Sequence, residues 1–536
     1  MTNIEPQRRT STLLPLLALA VLIGSVYGNS LANGFVFDDG AYLSSAAVRD
    51  FDLTELVLGN WRDLNLYRPA TLISIAADQA IWGGRAAGFH LTNLILHAVV
   101  VWFVWLLALE LLTNRAAAAV AAVVCAVHPL QSEVVNWVAA RGDLLSTGLM
   151  LLGLLAHRRR HSGNGGAGPA WRVTAALCCA MAPLAKETGF LFLPLAWWLD
   201  NAQTRSGWMR RSFHWLRCHP EYLVLTAAVL LLRAAVLVSG GESPHNANLL
   251  ADASPLQRLA TSVAIMGRYA GLVVLPVSLS ADYSFDSIPI SGLADPWLGV
   301  GIVVIGGLVW AARSGPGPLA QAAGALLICW LPTSNLAFLP PSAMAERYMY
   351  PGFFGIGLAC GCLAGPQFSQ TKARTRAVVA LLVALLSIWS VRVHLRNRDW
   401  QDDGALFAAV GQRFPHNARA LENLGHWHAR HGDLEQAVRL YQEALVVRPV
   451  NPRALTNLAA LELRRGHLEE AVVAWTGVLA TTPQRLPVLL DLAGTLERLG
   501  RSAAAAERYR AVLTLAPDHA EARAGLQRVS GEVPRE

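Results

Sequence analysis

The chain has 536 residues, a hydrophobic fraction of 54%, a charged fraction of 15% and a formal net charge of +7. Ordinary soluble domains carry about 25% charged residues, so a mean hydropathy of +0.37 does not fit a single soluble core. Disorder and a disulfide scaffold are excluded as well, and the length allows about three or four domains.

The charge is unevenly spread. Of the 44 basic and 37 acidic residues, 16 and 17 lie from Asp399 onward, a net of −1. That leaves 28 basic and 20 acidic groups in residues 1–398, a net of +8 in the apolar part. Basic residues in such a segment flank membrane spans on the cytoplasmic side. No basic stripe with interleaved aromatics points to nucleic acid. All but two of the basic residues are Arg, the two lysines being Lys186 and Lys372.

A membrane-spanning helix needs about 20 mostly apolar residues. The first candidate is Thr12–Tyr27, preceded by Arg8 and Arg9, which place the N-terminus in the cytoplasm. A signal peptide cleaved near Ser30-Leu31-Ala32 is the other reading of this stretch. An uncleaved anchor is favoured because a polytopic protein follows. Further spans are expected at 91–112, 116–130, 143–157, 173–187, 189–200, 220–239, 295–312, 318–335, 350–365 and 377–394, eleven in all. The loops that then face the cytoplasm hold Arg158–Arg160, Arg172, Arg205, Arg210, Arg211, Arg217, Arg313, Lys372, Arg374 and Arg376, in accord with the positive-inside rule. Segment 255–278 is apolar too and is read as interfacial or re-entrant, since an extra span would break this parity. An odd count puts everything after about residue 395 outside, with the protein in the inner membrane.

The tail repeats itself every 34 residues. Asn417–Pro449, Asn451–Pro483 and Arg485–Pro517 align, with Leu424, Leu458 and Leu492 in register. Gly432, Gly466 and Gly500 coincide, then Ala437, Ala471 and Ala505, then Tyr441, Trp475 and Tyr509. This period, with small residues at helix crossings and a closing Pro, is the tetratricopeptide pattern. Residues 399–415 read as a half repeat and 518–530 as a capping helix. The fold expected is all-α: a polytopic membrane bundle over 1–398, then a tetratricopeptide solenoid over 399–536. Such arrays form grooves for extended peptides or partner helices, a purely structural solenoid being the alternative.

Ionisable groups near spans are costly unless paired or wet, which makes them candidates for function. Five clusters fall on the expected outer side. The first is Phe37-Asp38-Asp39-Gly40, where two adjacent carboxylates repel, so one can have a raised pKa and serve as a base; a turn or cap is the alternative, and spacing favours neither. The second joins Tyr67-Arg68-Pro69 to Phe89-His90-Leu91-Thr92-Asn93, with Arg68 as an anion ligand or an interfacial anchor and His90 more readily a capping or core group. The third runs from His128-Pro129 through Glu133 and Trp137 to Arg141, Gly142 and Asp143. Arg141 suits phosphate because guanidinium forks match its oxygens, and an ion pair with Asp143 or Glu133 is the alternative. The fourth is Lys186-Glu187, either a compact ammonium toward a ligand or an internal pair. The fifth is Glu346-Arg347-Tyr348. Asp282 and Asp286 could join Asp38 or Asp39 at a divalent cation, though no spacing demands one; the metal requirement is unknown and no cofactor is firmly implied. The seven cysteines, Cys125, Cys178, Cys179, Cys218, Cys329, Cys360 and Cys362, suggest neither a disulfide framework nor a zinc knuckle. Walker loops, nucleophile elbows and dinucleotide fingerprints are absent from the sequence.

Phe-Asp-Asp after the first span, Tyr-Arg-Pro, Phe-His-Leu-x-Asn-x-x-x-His from Phe89 to His97, His-Pro-x-x-x-Glu with Arg-x-Asp, Lys-Glu, Glu-Arg-Tyr and the repeats occur in that order. Together they resemble the transmembrane and tetratricopeptide repeat-containing O-mannosyltransferases, and more broadly the C-fold glycosyltransferases that use polyprenyl-phosphate sugars. The likeness covers almost the whole chain. The array is short, however, and Pro351 follows Tyr350 directly where the family tends to keep one more residue. The resemblance implies transfer of mannose from a polyprenyl phosphate to Ser/Thr hydroxyls of exported proteins, with inversion, the repeats binding the acceptor. Asp38 would be the base, Asp39 would orient the acceptor or share a cation, and Arg141, Lys186 and Arg347 would hold the phosphate. Arg68, His90, His128, Glu133, Asp143, Glu187, Glu346 and Tyr348 would support them. Transfer to a lipid or surface glycan, and a non-enzymatic membrane-anchored scaffold, are the alternative functions.

Overall fold

The computed structural model describes residues 13–59, 66–160, 168–202, 208–237, 248–284, 287–292 and 294–531. The elements that the described residues form are all helices, with no β-strand among them. Two compact units are present. One holds the residues up to Tyr283 with Ile288–Asp402; the other holds Ser284–Ser287 with Asp403–Glu536.

In the membrane unit seven helices among the described residues are long and apolar enough to cross a bilayer, or eight if a bent pair counts as one span. The segments expected to span at 173–187, 189–200 and 318–335 form Gly168–Ala185, Phe192–Asn201 and Gly317–Trp330, of 18, 10 and 14 residues, and fall outside that set. Helix length alone therefore does not reproduce the count of eleven. Segment 255–278 forms Pro255–Val274, opened by a Ser254/Gln257 capping box and packed along Pro296–Ser314. Asp286, one of the carboxylates considered for a cation, lies outside the described residues, as do the basic residues Arg8, Arg9 and Arg205.

Small residues set the helix spacing. Arg115–Val127 is nearly all Ala and Val, and it packs on Phe353–Ala364. A Cβ on Gly357 would meet the Ala121 carbonyl at 2.6 Å, and one on Gly361 the Ala117 carbonyl at 2.4 Å. Backbones this close recover through van der Waals contact what apolar burial cannot supply in lipid. At His128-Pro129 the chain bends by 52°, because Pro has no N–H to continue the helix ladder. A short helix, Ser132–Asn136, follows and then the helix Arg141–Arg159. The third sequence cluster thus lies in a broken segment at one end of the bundle. Four buried or half-buried amides close that end: Asn136 Nδ2 donates to Asn397 Oδ1 (2.7 Å), Asn33 Nδ2 to Asn136 Oδ1 (3.3 Å) and Asn397 Nδ2 to Asn29 Oδ1 (2.7 Å). These bonds join the end of the first span to that of Lys372–Arg398.

In the second unit Asp403–Arg413 precedes three helix pairs: Ala418–Arg430 with Leu434–Val447, Pro452–Arg465 with Leu468–Thr481, and Leu486–Arg498 with Ser502–Leu515. Asn417, Asp433 and Asn451 cap their helices by accepting backbone N–H groups. Gly466 ends its helix at φ +83°, a left-handed turn open to glycine at no steric cost. The register residues then pack in order: Tyr441 lies against Gly425, and Tyr509 against Gly525 of the last helix, Ala520–Ser530. Ala459, Ala471, Trp475, Leu492 and Ala505 share the core between them.

Candidate active site

The Phe-Asp-Asp turn places its two carboxylates in different environments. Phe37 holds φ +54°, a conformation that costs a bulky residue about 1–3 kcal/mol and persists only when its surroundings enforce it. Its ring rests 5.4 Å from that of Trp137, which stacks on Trp400 at 6.3 Å. The turn leaves Asp38 exposed and Asp39 buried. Asp39 Oδ2 accepts from Val36 N at 3.0 Å and Oδ1 from Ala139 N at 2.7 Å, tying the turn to the segment before Arg141. Burial raises the Asp39 carboxyl, the two backbone donors lower it, Asp38 raises it and Arg141 lowers it, leaving it at about 7.

Arg141 is fully enclosed. Its Nη2 lies 2.6 Å from Asp78 Oδ2 and donates to the Phe89 carbonyl at 3.0 Å. Nε donates to Asn93 Oδ1 at 2.8 Å and Nη1 to the Ser74 carbonyl at 3.2 Å. The side chain is 0% exposed, so a phosphate could reach it only by displacing one of these partners. Its partner is Asp78, neither Asp143 nor Glu133.

The more open cations are elsewhere. Arg68 pairs with Glu187 at 2.8 Å, Lys186 with Asp143 at 2.5 Å and Arg347 with Glu133 at 2.5 Å, with cation side chains 20%, 13% and 20% exposed. Arg233 joins them, bonding Glu187 at 2.7 Å and the Tyr67 carbonyl at 2.9 Å. Four cations thus meet three carboxylates. Lys186 lies within electrostatic reach of both Arg68 and Arg347, and Asp143 acts on both of those guanidiniums. Tyr42 lies within reach of Asp38, Arg68 and Glu187. Arg347 also lies over the rings of Trp137 and Tyr348, each at 5.2 Å, which joins the cations to the aromatic floor of the Phe37 turn. Gly142 lets the helices close here, since a Cβ would meet the Ala185 carbonyl at 3.0 Å.

The remaining sequence candidates pack around this region. Glu133 is buried and its Oε2 accepts from the Arg347 backbone N–H at 2.9 Å. Glu346 is buried facing the other way: Oε1 accepts from Ser280 N at 2.6 Å and Tyr283 OH at 2.9 Å, with Arg396 at 3.9 Å. His90 Nε2 meets the Gly34 carbonyl at 3.2 Å, behind the Phe37 turn. His128 caps the Pro129 turn through Leu130 N and bonds the Val273 carbonyl at 2.9 Å. Sequence reasoning passed over Asp78, Arg233 and Tyr42. For the first two the signal was present, a lone charge inside an apolar run. Tyr42 carried none. Among the described residues no three His, Cys, Asp or Glu side chains group as metal ligands.

A family profile for the tetratricopeptide repeat matches residues 420–451. The protein O-mannosyl-transferase TMTC3 of Homo sapiens is 25% identical over 476 residues, 80% of this chain and 51% of its own length. The protein O-mannosyl-transferase TMTC4 of Homo sapiens is 27% identical over 498 residues, 80% of this chain and 66% of its own length. The resemblance read from the ordered motifs is borne out. The chain spans between about half and two thirds of these relatives. Among solved structures, apo ArnT from Cupriavidus metallidurans aligns with 89% of this chain and 80% of its own, at 17% identity and a TM-score of 0.45.

Proposed function

We propose that this chain is an integral-membrane glycosyltransferase that moves a sugar, mannose by analogy with its relatives, from a polyprenyl-phosphate donor to Ser/Thr hydroxyls of exported proteins. The observation that carries this reading is the pairing of an exposed carboxylate on a strained turn, Asp38, with a part-open cluster in which four cations, Arg68, Lys186, Arg347 and Arg233, meet three carboxylates. An acceptor hydroxyl needs a base, and a departing phosphate needs positive charge. In the step proposed, the acceptor oxygen attacks the anomeric carbon as Asp38 takes its proton. The bond from that carbon to the phosphate oxygen breaks, and the electron pair leaves on the polyprenyl phosphate. A single displacement inverts the anomeric configuration. Preorganised charge facing the leaving group is often the largest catalytic contribution.

The buried geometry of Arg141 and Asp39 favours positioning roles for both: Arg141 holds three helices through Asp78, Asn93 and Phe89, and Asp39 fixes the turn that presents Asp38. The phosphate then falls to Lys186, Arg347 and Arg68. The sign of the flanking charges supports an inner-membrane protein with its N-terminus in the cytoplasm and the repeats outside, where their groove would bind the acceptor. A divalent cation is not needed by this scheme.

The test is transfer from a panel of polyprenyl-phosphate sugars to a Ser/Thr peptide in reconstituted membranes. Asp38→Asn should slow transfer by about 10²–10⁴ while leaving donor binding intact. Near-normal transfer by that variant removes Asp38 as base; transfer to lipid or glycan acceptors but to no peptide redirects the acceptor assignment.

A further inference from the structure

A second polar cluster lies at the opposite end of the Arg141–Arg159 helix. At 19 residues and about 1.5 Å each, that helix separates the two ends by about 28 Å, close to the roughly 30 Å of a bilayer's hydrocarbon core. Gly168–Ala185 runs back beside it and ends next to Lys186. At the far end is a cavity of about 780 Å³ whose walls include Arg160, Arg172, Asp200, Arg211, Trp215 and His219.

The acidic groups here are already committed. Asp200 Oδ2 accepts from Trp215 Nε1 at 2.8 Å and lies 2.9 Å from His157 Nε2 and 3.4 Å from Arg160 Nη2. Glu221, also on the wall, faces His219 Nδ1 at 3.4 Å. Arg160 further bonds the His157 carbonyl and His219 Nε2, and its Nε is buried without a hydrogen-bond partner. Nη1 of Arg211 is likewise buried and unpartnered. Two guanidiniums with buried, unpartnered donors, and a third at the exposed Arg172, therefore line a cavity whose two carboxylates are occupied, and guanidinium donors match phosphate oxygens.

The helix carrying Arg211 states where that phosphate comes from. Trp208–Cys218 turns Arg211, His214 and Trp215 to the cavity, while Trp208, Met209 and Phe213 are 67%, 60% and 68% exposed. It leads into the span-length helix Pro220–Leu237. A short helix with a basic side and bare aromatics, placed at the mouth of a span, lies in the membrane interface with its apolar face among acyl chains. We propose that this cavity binds the phosphate head of an anionic membrane lipid, taken from the leaflet opposite Asp38, with Arg160, Arg172 and Arg211 as its phosphate ligands.

The test uses the full-length protein in neutral detergent and measures binding of fluorescent phosphatidylglycerol, of phosphatidylcholine, and competition by inorganic phosphate. Phosphatidylglycerol should bind at least about tenfold tighter than phosphatidylcholine, and R160Q/R211Q should lose at least about tenfold of that affinity. R172Q, at an exposed position that leaves folding untouched, should lose about threefold on the same grounds. M209S/F213S should weaken the lipid and leave inorganic phosphate unchanged. Equal affinity for the two lipids, or wild-type affinity in both R160Q/R211Q and R172Q, overturns the site. Inorganic phosphate competing as well as the lipid at equal concentration overturns the lipid as its source. None of these readouts depends on sugar transfer.

Discussion

The two ends of the Arg141–Arg159 helix hold the same kinds of residue and use them differently. At one end Arg141 is sealed against Asp78, Asn93 and two carbonyls, with no exposed surface. At the other Arg160 shares Asp200 with a histidine and a tryptophan beside a wide cavity. The first arrangement is complete without a ligand and the second is not. Charge at membrane depth is tolerated where it is paired, so a full set of partners marks a structural group, and a surplus of donors facing open space marks a binding group. The Asp38 end contains both kinds, the sealed Arg141 and the part-open Lys186 and Arg347.

The strongest way to break this comparison is to remove one partner at each end. R141M leaves Asp78 buried and uncompensated, as D78L leaves Arg141, and each should cost about 3–5 kcal/mol. The double variant D78L/R141M should recover most of the loss, since replacing both members of a buried pair is often neutral. R160M should cost less, because Asp200 keeps two other donors. Survival of monodisperse protein after a heat challenge, read by size-exclusion chromatography, measures all four. An R141M protein as heat-resistant as wild type would move Arg141 from the sealed class to the ligand class.

The next effect in size is the pH response of Asp39, which lies beyond the first span helix. Its folded value of about 7 stands above the unfolded value of about 3.9. The folded state therefore holds this proton more tightly, and the stability it contributes is full below the unfolded value and lost as pH rises through 7. Transfer should run the other way. Only the ionised carboxylate offers both oxygens fully to Val36 N and Ala139 N, so the presented geometry of Asp38 improves as Asp39 loses its proton. The rate should rise with a midpoint near pH 7, falling about tenfold for each unit below it. D39N should be slower at pH 8 and lack this limb; an identical limb in D39N would assign it to another group.

How much of this was legible in the sequence follows from what each feature repeats. The tetratricopeptide pairs were readable because one packing problem recurs at 34 residues, so Gly432, Gly466 and Gly500 mark the same left-handed turn three times and Tyr441, Trp475 and Tyr509 the same buried aromatic position. The span ends were readable from runs of apolar residues, but Phe192–Asn201 and Gly317–Trp330 show that apolarity does not fix helix length. The clusters at the Asp38 end were found because charge is rare in lipid. Their pairings were not, because each partner is distant in sequence: Arg141 with Asp78, Arg347 with Glu133, Glu187 with Arg233. A pairing is a property of how helices pack, and a single sequence carries no record of it. The far cluster was read only as flanking positive charge, since the loop arginines looked alike until the fold set Arg160 and Arg211 around one cavity.

The smallest effect separates fold from ligand within one helix. Trp208 and Trp215 are seven residues apart, about two turns, yet they differ in what covers them. Trp215 is 6% exposed, its ring 4.8 Å from that of His219 and 6.1 Å from that of Tyr222, and its Nε1 donates to Asp200 at 2.8 Å. W215F deletes a hydrogen bond to a charged group and should cost about 1.5–3 kcal/mol. Trp208 is 67% exposed, and W208A should change heat resistance by no more than about 0.5 kcal/mol. The same substitution should reduce retention of phosphatidylglycerol, because the exposed ring is the part that meets acyl chains. A W208A protein as heat-labile as W215F would make both tryptophans part of the fold and leave the far cavity without a face turned to the membrane.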